Sequence, residues 1–166
     1  MIDLRVLAAG LLLWAGNATA QDAAGRPLPF HNHLSSEEKR FIQTSPLFQG
    51  EREEWLAALK LDKVFWADVD LNDDGRPERL LLLQTSQWCG SDGCLLRILT
   101  QQGRGGWRRL ADISAEPGAV SLLPEADGGW HRLGYGRRPF FWNGCEYLTA
   151  DDAMADRRDE LDPCRP

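Results

Sequence analysis

Residues 70–78, Asp70-Leu71-Asn72-Asp73-Asp74-Gly75-Arg76-Pro77-Glu78, place oxygen-bearing side chains at alternate positions and then turn at a glycine. Calcium takes six to eight hard oxygen ligands at short range, and a tight loop with carboxylates and an amide at its first, third and fifth positions supplies them. Asp70, Asn72 and Asp74 hold those positions, Gly75 permits the turn, the Arg76 carbonyl can point inward, and Glu78 adds a carboxylate. Acids crowded into one turn also repel one another when no cation is present. Against this stands an ordinary turn, because Asp, Asn and Gly close loops through side chain–backbone hydrogen bonds without any metal.

The segment resembles the calcium hairpins of FG-GAP and VCBS-type repeats, with the pattern D-x-[DN]-x-D-G-x-x-[DE] between two β-strands. The resemblance covers only this loop and its flanking strands. It implies calcium as a bound cation, with Asp70, Asn72, Asp74 and Glu78 as side-chain ligands and Arg76 as a carbonyl ligand. An EF-hand is rejected, because it needs a glutamate at the twelfth position and Leu81 stands there. A single extracellular site of this kind binds with a dissociation constant of about 10⁻⁴–10⁻³ M.

The cysteines are the second group with chemistry. Cys89, Cys94, Cys145 and Cys164 make an even set, which in an oxidising compartment reads as disulfides with three possible pairings. The favoured pairs are Cys89–Cys94, around Gly90-Ser91-Asp92-Gly93, and Cys145–Cys164, which would pin the C-terminus. In the chain-entropy account the small ring contributes ~2 kcal/mol and the larger one ~3 kcal/mol. A zinc site at Cys89 and Cys94 lacks a second matching pair. Trp88, Ser91 and Asp92 form a candidate partner-binding loop at the disulfide tip.

Other groups carry less. His31 and His33 read as solvated polar sequence, and His131 has no nucleophile beside it. No nucleophile elbow, H-E-x-x-H helix, Walker loop or dinucleotide fingerprint occurs, so enzyme activity is not expected. A carboxylate pair suited to glycoside hydrolysis is not visible in sequence.

These residues must be positioned by a fold. Residues 6–16 are an apolar run after Arg5, followed by Asn17-Ala18-Thr19-Ala20, the layout of a secretory signal cleaved near Ala20. The run is too short for a transmembrane anchor. Periplasmic or secreted localisation follows as the expectation. The organisation reads as a signal over 1–20, a flexible arm over 21–34 and a single domain over 35–166. Ser35 and Glu38 fit a capping box before a helix over 36–43, and a second helix fits 51–60. From Lys63 the apolar period becomes two. Strands are expected over 64–69, 79–85, 95–100, 107–113, 120–123, 130–135, 140–142 and 145–148, with Asn143-Gly144 as a hairpin turn. A last short helix is expected over 151–161. The expected class is therefore α+β: two short N-terminal helices, an antiparallel β meander, a short C-terminal helix and disulfide staples.

The formal net charge of −6 argues against nucleic acid and for ordinary solubility first, then cations or a basic protein partner. Three functions are consistent with these readings. The first is an envelope binding protein, an inhibitor of or immunity protein against a cell-wall-acting enzyme or toxin. The second is a calcium-stabilised structural or sensing module. The third is a small periplasmic hydrolase whose residues converge only in the fold.

Overall fold

A computed structural model describes residues 25–103 and 105–149. The signal segment expected over 1–20, the helix expected over 151–161 and Cys164 lie outside these residues. The architecture corrects the α+β expectation. It is mostly β, with 48% of the described residues in strands and 17% in helix. The helices are α1 (Ser36–Thr44) and α2 (Arg52–Lys60), each of nine residues, joined by a 3-10 turn at Pro46–Phe48. Several strands run past their expected ends because backbone pairing continues through polar residues such as Gln101 and Gln102, which apolar periodicity does not register, while those expected over 79–85 and 145–148 are shorter, at Glu78–Leu83 and Tyr147–Thr149.

The strands are β1 (Arg26–Pro27), β2 (Val64–Val69), β3 (Glu78–Leu83), β4 (Cys89–Gly90), β5 (Gly93–Gln102), β6 (Gly106–Ala115), β7 (Val120–Asp127), β8 (Trp130–Tyr135), β9 (Arg138–Trp142) and β10 (Tyr147–Thr149). They form two antiparallel sheets rather than one meander. In the first, β2, β3 and β5 lie side by side, β6 pairs with β5, and β4 folds back onto the start of β5. The second runs β1-β7-β8-β9-β10.

The first sheet is the middle layer, which explains the leucine run. Leu80 and Leu82 face the second sheet, packed with Leu96, Ile98, Leu133, Phe140 and Tyr147. Leu81 and Leu83 face the helices, packed with Ile42, Phe48, Trp55, Trp66 and Leu99. A strand buried on both faces loses the alternation of a half-exposed one. Helix α1 starts at a capping box: the Ser35 hydroxyl accepts from the Glu38 amide at 3.2 Å, and Glu38 accepts from the Ser35 amide at 2.6 Å. Phe41 then meets Trp66 and Trp107 edge-on, and the Arg79 guanidinium sits 4.4 Å and 4.1 Å from the Phe41 and Trp107 rings.

Residues 25–34, expected to be loose, are held as a strap. Arg26 and Pro27 pair with Leu122 and Ser121 of β7. His31 exchanges backbone hydrogen bonds of 2.9 Å and 2.8 Å with Trp66 of β2. Leu28 and Leu34 are buried beneath. Glycine, proline and asparagine remove regular structure here, but they do not remove the apolar anchors. The Asn143-Gly144 turn also differs from expectation. Trp142 pairs with Tyr147, so four residues make the loop, and the Asn143 side chain accepts from the Cys145 and Glu146 amides at 2.9 Å each. No helix among the described residues is long and apolar enough to cross a membrane.

Candidate functional site: the acidic hairpin and the disulfide tip

The acidic segment joins β2 to β3, as its flanking periodicity predicts. Its side chains close the turn on their own backbone. Asp70 accepts from the Gly75 amide at 2.8 Å and the Asn72 amide at 3.3 Å. Asn72 accepts from the Asp74 amide at 3.1 Å, and Asp74 from the Arg76 amide at 2.8 Å. Gly75 has φ 80°, and Asp73 also adopts a left-handed conformation, at 56°. Short acidic side chains tolerate that region better than most.

The loop is fastened to the second sheet through His131, whose role the sequence does not reveal. The His131 amide donates to the Leu71 carbonyl at 2.7 Å, and the Tyr147 hydroxyl donates to the His131 carbonyl at 2.7 Å. Its ring lies between the Leu123 carbonyl and the Asp73 carboxylate, each at 3.1 Å. An open cleft of about 810 Å³ runs beside this junction, lined by Pro27, Leu122 and Leu123 together with Asp70, Asp73 and His131.

Glu78 is the unusual member. Only 1% exposed, it accepts from the Leu71 amide at 3.0 Å and the Thr100 hydroxyl at 2.8 Å. Burial pushes its pKa up, those two hydrogen bonds pull it down, and the charges of Asp74 and Asp70 push it up again, leaving it raised. Among the described residues no ion pair reaches Asp70, Asp74 or Glu78. The oxygen donors match calcium in chemistry. Their placement is that of a turn closed on itself, and among the described residues no group of three His, Cys, Asp or Glu side chains gathers at metal-holding distance.

The disulfide tip lies at another turn of the first sheet. Cys89 and Cys94 face each other across the β4–β5 hairpin, with Cα atoms 3.9 Å apart, and are bonded. Ser91 and Asp92 are exposed at the turn. Asp92 reaches Arg138, at the start of β9 in the second sheet, at 3.5 Å, and both side chains are 64% exposed. Trp88, expected on the surface, is instead half-buried against the helix-side cluster, and its Nε1 is buried without a hydrogen-bond partner. Apolar contact with the core outweighs its position beside a turn. The Cys145–Cys164 pair falls outside the described residues.

Comparison with family models, with curated proteins and with solved structures finds no match for this chain.

Proposed function

We propose that the protein is an exported binding module that engages a protein partner, an inhibitor of or immunity protein against a cell-wall-acting enzyme or toxin. The observation that carries this reading is the rigid tip. Ser91 and Asp92 stand exposed between bonded cysteines, and Asp92 is braced from the other sheet by Arg138. A preorganised loop loses little conformational freedom on binding. The net charge of −6 favours encounter with a basic partner, and many wall-degrading enzymes are basic. The test is titration of the oxidised protein against wall-hydrolase activity in envelope extracts and in secretions of competing bacteria. Stoichiometric inhibition is expected, and Asp92→Arg is expected to abolish it without changing the melting temperature. Absence of inhibition and of any stoichiometric partner from both sources removes the reading.

A second reading, favoured by the buried Glu78, to which no basic side chain pairs among the described residues, is a calcium-stabilised module. Asp70, Asn72 and Asp74 with the Arg76 carbonyl would hold the ion, and Glu78 would complete the set. At a dissociation constant near 10⁻⁴ M, about 10 mM calcium would add roughly 2.7 kcal/mol to stability. Asp70→Ala and Asp74→Ala should erase the corresponding rise in melting temperature, and a rise of full size in both variants rules the site out. The pH dependence in chelator follows from the raised pKa of Glu78. Its contribution is present below the ordinary value of 4.5 and is lost as pH rises through the higher folded value. Glu78→Gln should therefore gain on the parent protein toward neutral pH and lose that gain in acid.

A further inference from the structure

The edges of a sheet are where a folded β protein presents unpaired backbone N–H and C=O groups, and most are short or covered. Most of the edges here follow that rule. In the second sheet β1 spans two residues and β10 three. In the first sheet β4 spans two residues, and the outer edge of β2 is bridged at Trp66 by His31. The edge of β6 is the long one, at ten residues, with β10 lying close to part of it and Arg108 donating to the Cys145 carbonyl at 3.2 Å. On the side away from β5 it makes no backbone hydrogen bond among the described residues.

We propose that β6 is a homodimer interface, pairing antiparallel across a two-fold axis with β6 of a second copy of this chain. The charge order of the strand, Gly106-Trp107-Arg108-Arg109-Leu110-Ala111-Asp112-Ile113-Ser114-Ala115, fits its own reverse. With the axis between Leu110 and Ala111, Arg109 of each copy stands opposite Asp112 of the other, and the leucine meets an alanine at the centre. Opposite charges directly across a strand pair attract, and like charges repel. Moving the axis onto Arg109 sets Arg109 of one copy against Arg109 of the other, so the strand discriminates between registers.

The side chains are available for this. Arg109 is 55% exposed and Asp112 28%, and they already meet at 3.0 Å within the strand. They lie on the same face, since Asp112 also pairs with Arg97 on the helix side. Leu110 is the extra residue of a bulge, because Ile98 pairs with Ala111 and Leu99 with Arg109. A bulge often keeps an edge from extending. Here it lies at the axis, so both copies carry the same distortion at the same place. The interface is isologous, the arrangement that closes at two copies and does not propagate into fibres.

Sedimentation velocity of the oxidised protein from about 1 µM to about 300 µM, a span suited to a weak self-association, tests the proposal. A monomer–dimer equilibrium is expected. Arg109→Glu should weaken it about tenfold or more, since two attractive pairs become repulsive. Hydrogen exchange on the parent protein should show β6 amides gaining protection with concentration while β2 and β10 amides do not. A monomer at every concentration overturns the proposal. So does a dimer that Arg109→Glu leaves intact, or one that forms without added protection of β6, which would place the contact elsewhere.

Discussion

Arg97→Met is expected to cost the domain roughly 1.5–3 kcal/mol, the usual worth of hydrogen bonds to a charged group, because the acids it leaves behind, Asp112 and Glu51, are themselves 28% and 34% exposed. Arg97 rises from the centre of β5 toward the helices with its side chain 2% exposed. Its Nε and Nη2 bind the two Asp112 oxygens at 2.8 Å and 2.7 Å, and Nη2 also reaches Glu51 at 2.9 Å. Nη1 donates to the Leu47 carbonyl at 3.4 Å. Burial alone would lower its pKa, but the hydrogen bond and charge of Asp112, with Glu51 behind them, overcome that and raise it. Methionine fills much of the same space, so the loss isolates the charge. Asp112 retains Arg109, while Glu51 and the Leu47 carbonyl lose their guanidinium. Thermal melting checks this, and a variant within about 1 kcal/mol of the parent means that the network is replaceable by packing, as some buried ion pairs are.

Gly93→Val should be at least as damaging, by roughly 3 kcal/mol or more, because two independent penalties meet. Gly93 sits at φ 115°, where a β-branched residue is strained. A Cβ there would also lie 2.8 Å from the backbone nitrogen and oxygen of Ala115 in β6. Backbone in a paired strand cannot swing aside as a flexible side chain would. The expected result is a lower melting temperature together with incomplete oxidation of Cys89 and Cys94, scored by mass after thiol alkylation. Full oxidation and parental stability would show that β6 yields at Ala115.

Much of the local structure was legible in the sequence. The capping box at Ser35 and Glu38 specifies where α1 begins, because its two bonds are local. The alternation in residues 64–69 specifies β2. The Cys89–Cys94 pair followed from glycines that let a short ring close. What could not be read is what depends on distant partners. The split into two sheets requires knowing that β7 pairs with β1 and β8, and Ala119 before it gives no sign of a sheet change. His131 has no local signature, since its partners Leu71, Asp73 and Leu123 come from other elements. Arg97 did leave a trace, a lone cation between Leu96 and Ile98 in an otherwise apolar run. Charge in such a place needs a buried partner.

The strap over residues 25–34 sets a constraint on when the chain can become whole. Arg26 and Pro27 are made early, yet the strand they bind, β7, begins at Val120. Until that strand exists, this segment can hold on only at its later end, at Trp66 through His31, at Asp62 through Asn32 and in the helix-side cluster through Leu34. This early segment thus completes its attachment only after most of the described chain has emerged. A nascent chain truncated before β7 keeps its helices, β2 and β3 in sequence, but it has nothing on which to fasten Arg26 and Pro27.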